Sequence, residues 1–168
     1  MTAPEFDINL HNLVDDALPL ERLREAAIWV LQAHDVPLDT GLSIVLTDDE
    51  HVRELNQQFR GIDAPTDVLS FPAETEETSA EPYLGDLILA LPYIRSHADH
   101  PLVDELVLAV IHGTLHLLGY DHDTAEHEAQ MWQAQAQALA ALGVRIVVPR
   151  FSVATPDESP DSPTTNRD

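Results

Sequence analysis

The chain has 168 residues, and its 44% content of hydrophobic residues is ordinary for one globular domain with a sizeable core. It contains no cysteine, which excludes a disulfide framework and thiolate metal ligands. Thirty acidic residues oppose eight basic residues, all of them arginine, so the formal net charge is -22 and the chain lacks the overall basic character of a typical nucleic-acid-binding protein.

The N-terminal part of the chain predicts a strand followed by a helix. Phe6–Leu10 alternates apolar and polar residues, which is typical of a half-buried strand. Pro19 suits the first turn of a helix whose apolar stripe continues to Leu31. Residues 1–10 lack the pattern of a signal peptide. His112 and His116 interrupt the longest apolar run, and Asp104 and Glu105 precede it. We therefore expect a cytoplasmic protein with no membrane span.

A second strand and a second helix follow. Leu42–Leu46 is short and rich in β-branched residues, which favours a strand. Thr47, with Glu50 three residues later, forms a capping-box pattern at the start of a helix. Arg60 and Gly61 are expected to end this helix.

The middle of the chain predicts two further strands around an acidic loop. Asp67–Phe71 alternates as a strand closed by Pro72, and a strand resumes over Leu84–Leu91 before a short helix. Between them, Ala73–Pro82 carries four glutamates with no apolar period, which predicts a solvated, mobile loop.

Two histidines occur inside a strongly apolar helical stretch. Leu102–Leu118 is apolar on nearly every side, which predicts a buried helix. His112 and His116 are four residues apart, so on a helix they lie on one face, about 6 Å apart at Cβ. Gly119 can adopt a positive φ and turn the chain back, and His122 then returns towards the same point.

Three imidazoles that converge in this way predict a metal site. Nine histidines in the chain make some helical pairs expected by chance, and the alternative is a set of hydrogen-bonded core histidines. However, imidazoles inside an apolar helix are costly unless something binds their lone pairs. His112, His116 and His122 with a fourth position open match a catalytic zinc site, with one Zn²⁺ per chain.

The C-terminal part predicts one more helix and a tail. Asp123 and Thr124 can cap a helix with an apolar stripe from Met131, and Gly143 suits its C-terminal end. Val144–Val148 is predicted to form a short strand. Residues 1–150 are predicted to be one domain, and residues 151–168, rich in Pro, Ser and Asp, a disordered tail. Strands and helices mix without regular βαβ alternation, which predicts the α+β class.

The histidine motif and two others resemble a known family. The spacing His-x-x-x-His-x-x-Gly-x-x-His occurs in metzincin proteases, but their catalytic Glu is replaced here by Gly113. Instead, residues 112–122 resemble the motif of the YbeY-like endoribonucleases, which are bacterial rRNA maturation factors. The segment Leu55–Pro72 and the triplet Leu84-Gly85-Asp86 support the same resemblance, which covers about residues 40–142.

The resemblance implies a fold, an activity and further site residues. The implied fold is a small mixed sheet packed against several helices, with the metal cleft at the end of a buried helix. The implied activity is zinc-dependent cleavage of single-stranded rRNA in rRNA maturation and ribosome quality control, with the small ribosomal subunit and assembly factors as partners. Arg60 would contact phosphate in the transition state, although a helix cap or surface ion pair is its ordinary role. Independently of the resemblance, the position of Asp121 beside His122 predicts that it orients a ligand imidazole or caps a helix or loop.

Two other functions stay open from the sequence. One is another zinc hydrolase of peptidase type, which Gly113 disfavours; the other is a ribosome-assembly factor with little intrinsic cleavage. The acidic, lysine-free composition is explained either by a partner other than RNA or by a high-salt cytoplasm, where the Debye length falls to about 3 Å at 1 M. We favour high salt, because such a surface remains soluble there.

Overall fold

The structure, a computed structural model, describes residues 6–14, 16–73 and 82–146. In chain order its elements are β1 Asp7–Asn12, α1 Leu20–Ala33, β2 Gly41–Thr47, α2 Asp49–Arg60, β3 Val68–Pro72, β4 Tyr83–Ala90, α3 Leu91–Ser96, α4 Leu102–Leu117 and α5 Ala125–Ala141. The predicted acidic loop lies almost entirely outside the described residues, and the predicted tail lies wholly outside them. The predicted strand Val144–Val148 is wrong for its described part, because residues 144–146 do not form a strand.

The four strands form one mixed sheet in the order β1-β2-β4-β3. β1, β2 and β4 run parallel, and β3 pairs antiparallel with β4 at one edge. The parallel pairs require helical crossovers, and α1 and α2 follow β1 and β2 in the chain as such connections. The predicted α+β fold with a small mixed sheet packed against helices is therefore confirmed.

The two faces of the sheet carry different hydrophobic clusters. Leu87 and Leu89 of β4 belong to the main core, whose other members come mostly from β2, α1, α4 and α5. Ile88 and Ala90, which alternate with them along the strand, pack on the opposite face with Val52 of α2. The helix that carries His112 and His116 thus lies on the main-core face, and α2 lies on the other face.

The ends of the helices follow local side-chain and glycine chemistry. The predicted N-cap Thr47 is wrong: Thr47 is the last residue of β2, paired with Ala90, so the chain leaves the strand one residue later. Asp48 is the N-cap of α2, and its carboxylate accepts a hydrogen bond of 2.8 Å from the backbone N–H of His51. The predicted end of α2 is confirmed, with Gly61 at a φ of 72°.

Helix α4 packs unusually close to the sheet at Gly113. A Cβ atom at this position would lie 2.8 Å from Cδ2 of Leu87 and 3.2 Å from Oγ of Ser70. The Ser70 hydroxyl donates a hydrogen bond of 3.1 Å to the carbonyl oxygen of Gly113. Glycine is therefore required for this close packing. The packing in turn sets the distance between the sheet and the part of α4 that carries His112 and His116. No helix of the described residues is long and apolar enough to cross a membrane.

Candidate metal centre

Three histidines converge at the C-terminal end of α4. His112 and His116 belong to the helix, and His122 lies in the loop that leads to α5. One ring nitrogen from each lies within 4.8 Å of the others. The Nε2 atoms of His112 and His116 are 3.1 Å apart. Among the described residues this is the one group of three or more His, Cys, Asp or Glu with such geometry.

The turn after α4 brings His122 back to the helix. Gly119 has a φ of 102°, in the region that favours glycine, as predicted from the sequence. The backbone N–H of Tyr120 donates to the carbonyl of Leu115 at 3.0 Å, which folds the chain over the last helical turn. Asp121 then accepts a hydrogen bond of 2.7 Å from the backbone N–H of His122.

Hydrogen bonds to Nδ1 determine which nitrogen each helical histidine presents. Nδ1 of His112 lies 2.6 Å from the side-chain oxygen of Gln135 in α5, and Nδ1 of His116 lies 3.0 Å from the carbonyl oxygen of Tyr120. Both partners are acceptors, so we assign the proton to Nδ1 in each ring. Both Nε2 atoms consequently carry a lone pair directed into the site.

Burial favours the neutral form of both of these imidazoles. The pKa of His112 is lowered from 6.5 to about 3, chiefly because the ring is buried and next because it faces His116. The pKa of His116 is lowered for the same main reason, then by the nearby His122, with a smaller contribution from the Arg60 guanidinium. Neutral imidazole is the form that binds a metal.

The arrangement fits a metal ion better than a set of core histidines. Two Nε2 lone pairs that face each other without a shared proton repel, and a cation between them removes that repulsion. In a tetrahedral zinc site with Zn–N bonds near 2.05 Å, ligand nitrogens lie about 3.3 Å apart, close to the distance between His112 and His116. His122 is exposed, so the third candidate ligand lies on the solvent side of the cluster.

Arg60 is the last residue of α2 and acts electrostatically on this centre. Its guanidinium contributes to the lowered pKa of His116, behind burial and His122. Arg22, Arg24, Arg53 and Arg95 all form ion pairs. Arg60 has no ion pair among residues 6–14, 16–73 and 82–146, and it is exposed. Its position and its available donors are therefore compatible with the predicted phosphate contact.

Asp121 has the position of a loop cap and not that of a residue that orients an imidazole. Its carboxylate bonds the backbone N–H of His122, which is the loop-capping alternative. The hydrogen bonds of the described residues include none in which Asp121 accepts from one of the three imidazoles. The acceptors that orient His112 and His116 are Gln135 and the Tyr120 carbonyl.

Sequence reasoning missed Gln135 as a member of the site. Only 1% of Gln135 is exposed, although it is a polar residue on the apolar stripe of α5 with Met131, Ala138 and Leu139. A buried amide among apolar neighbours requires a polar partner, and that partner is His112. The signal in the sequence was this single glutamine on an apolar stripe.

Comparison with a family model and with named proteins points to one family. Residues 9–143 match the family model described as endoribonuclease YbeY. Proteins named endoribonuclease YbeY include one from Rhodopseudomonas palustris, 45% identical over 82% of this chain and 85% of its own length, and one from Moorella thermoacetica, 42% identical over 75% and 86%. A solution structure of a Thermotoga maritima protein is similar with a TM-score of 0.57 and 30% identity, covering 80% of this chain and 88% of that one.

Proposed function

The chain belongs to the endoribonuclease YbeY family, and on that premise we propose that it is a zinc-dependent, single-strand-specific endoribonuclease. Its substrate would be rRNA, in maturation and ribosome quality control, with the small ribosomal subunit and assembly factors as partners. The observation that carries the proposal is the pair of facing Nε2 atoms of His112 and His116, 3.1 Å apart, with His122 on the open side.

Zinc suits the donor set better than harder cations. His112, His116 and His122 supply three imidazole nitrogens, and magnesium and calcium prefer oxygen ligands. One ion per chain would be held, with one coordination position left free. When bound, Zn²⁺ supplies Lewis-acid chemistry, polarising a phosphoryl oxygen and making water a better nucleophile near neutral pH.

Arg60 would hold the substrate's phosphate beside the metal. A guanidinium offers paired donors that match phosphate oxygens, and the described part of the chain leaves those of Arg60 without an ion pair. The charge that develops on a phosphate oxygen during cleavage would be stabilised by this cation. Removing the guanidinium while keeping length, as in Arg60→Met, is expected to lower kcat/KM without loss of zinc.

The chain supplies no carboxylate at the position of the metzincin general base. A side chain at residue 113 would meet Leu87 and Ser70 of the sheet. Two routes are therefore compatible with the site: attack by water, or attack by the ribose 2′-OH to give a cyclic phosphate. An RNA that lacks the 2′-OH at the scissile position separates them, because only the first route cleaves it.

The packing of Gly113 also counts against a peptidase, for which a peptide-cleavage assay is the check.

The proposed function is tested by comparing the wild type with His116→Ala in molar KCl. The wild type is expected to contain close to one zinc per chain and to cleave single-stranded rRNA, and the variant is expected to lose both. His11→Ala is the matched control, because His11 is exposed on the edge strand β1. Bound zinc with intact RNA in the wild type would refute the nuclease proposal and favour an assembly factor.

A further inference from the structure

Two large apolar side chains are exposed on either side of Arg60 and Gly61. Phe59 is 59% exposed and Ile62 is 51% exposed. Among the described residues, Phe59 is the only exposed large aromatic residue. Exposed apolar surface of this kind is unfavourable in water, so a cluster of it beside a candidate active site indicates a binding role.

The ring of Phe59 is held in place at one edge and open elsewhere. It meets the ring of Phe71 in β3 at a centroid distance of 5.2 Å and an interplanar angle of 66°. Edge-to-face contacts of this type are favourable and fix ring orientation. The contact with Phe71 therefore favours one orientation of the Phe59 ring and leaves much of the ring exposed.

A short chain of contacts connects this ring to the metal centre. Phe71 and Pro72 of β3 pair with Asp86 and Gly85 of β4. A Cβ atom at Gly85 would lie 2.9 Å from Cδ2 of Leu117, the residue after His116. Arg60 follows Phe59 in the last turn of α2, and its positive charge acts on His116. β3 is the edge strand of the sheet, with Phe71 against Phe59 and Ser70 bonded to Gly113 of α4, so Phe59 and Arg60 lie at the edge of the sheet that also contacts the histidine-bearing helix.

We propose that Phe59 stacks on an unpaired base of the RNA strand whose phosphate is held by Arg60, with Ile62 contacting the same nucleotide. This inference rests on the proposed function. Because the chain carries a net charge of -22, phosphate contacts alone cannot supply much affinity. Base–aromatic stacking does not depend on the net charge of the protein, and every base can take part in it. It also requires a base that is free of a duplex, which gives a physical origin for single-strand specificity.

The test uses the zinc-loaded full chain and short single-stranded RNAs, some with an abasic nucleotide or 2-aminopurine at successive positions. Phe59→Ala is compared with Phe59→Trp and with Leu13→Ala as the control. Leu13 is a suitable control because it is 61% exposed and lies at the opposite end of the sheet from Gly85. It follows Asn12, which pairs with Leu46 at the C-terminal end of β2, whereas Gly85 pairs with Leu42 near the N-terminal end. Loss of a stacking contact should weaken binding by about 5- to 100-fold.

The proposal predicts this weakening, together with a raised KM and little change in kcat, for Phe59→Ala only. Phe59→Trp should retain binding and the fluorescence quenching of one 2-aminopurine position. Abasic substitution at that position should weaken wild-type binding and have no further effect on Phe59→Ala. The abasic arm uses the wild type and so decides the matter even if Phe59→Ala folds poorly.

Three results would overturn the proposal. One is equal RNA binding by Phe59→Ala and Leu13→Ala while both cleave RNA, which refutes stacking and leaves the nuclease function intact. Another is normal RNA binding by Phe59→Ala with lost binding to the small ribosomal subunit, which would make this surface a protein contact. The third is a wild type that neither binds nor cleaves RNA, which refutes the proposed function and the stacking role together.

Discussion

Replacing Gln135 with methionine should weaken zinc binding without changing any of the three histidines. The side-chain oxygen of Gln135 lies 2.6 Å from Nδ1 of His112, and these residues are 1% and 8% exposed. Methionine has a similar volume but cannot accept this hydrogen bond, so a buried N–H is left unpaired at a cost of about 1–3 kcal/mol. The orientation and tautomer of the imidazole are also released, and loss of such a partner typically weakens metal binding by about 10- to 100-fold.

The two effects are measured separately. Urea unfolding of the metal-free protein gives the change in the free energy of unfolding, and competition with a chelator gives the zinc affinity. Gln133→Met is the matched control, because Gln133 is exposed and lies two residues earlier on the same helix. Equal zinc affinities for Gln135→Met and Gln133→Met would refute the reasoning that Gln135 sets the tautomer of His112.

Three further predictions follow from packing, salt and protonation. Gly113→Ala should lower the free energy of unfolding by about 1–3 kcal/mol, because the added methyl group would lie 2.8 Å from Cδ2 of Leu87; unchanged urea unfolding would contradict this. The melting temperature should rise from low to molar KCl as the repulsion of a net charge of -22 is screened, and a flat melting curve against KCl would contradict the high-salt explanation. Because the pKa of His112 is lowered from 6.5 to about 3, the unfolded chain binds more protons than the folded chain below pH 6.5. The free energy of unfolding of the metal-free protein should therefore decrease as the pH is lowered, by up to about 1.4 kcal/mol per pH unit. His112→Asn should lack this component when urea unfolding is compared from pH 7 to 4.5.

Local sequence patterns were sufficient for the elements and for the convergence of the histidines. The spacing of His112 and His116 and the glycine at position 119 are local features, and the structure places His122 beside both rings as they predict. The capping prediction at Thr47 was wrong by one residue, because strand pairing with Ala90 is a non-local contact that a capping pattern does not contain.

The features that were not predicted depend on contacts between distant elements. Gln135 acquires its role only because α5 packs across α4 and brings its amide to His112, 23 residues earlier. The strand order with an antiparallel edge likewise depends on which strands pair, and hydrophobic alternation within each strand does not encode this. The reason for glycine at position 113 also became clear only from the distance between α4 and the sheet.

In the part of the chain that the structure describes, Arg60 and Arg145 are the only arginines without an ion pair, and this has a consequence for how the protein would hold RNA. Most proteins that bind nucleic acid gain affinity by releasing condensed counterions, and that gain disappears as salt rises, with a slope of about -0.7 per phosphate contact for single strands. A site built on one arginine, one metal and one aromatic ring would release few counterions. Its affinity for RNA would then change little over a range of salt in which a lysine-rich nuclease would dissociate, which matches the acidic composition of the whole chain.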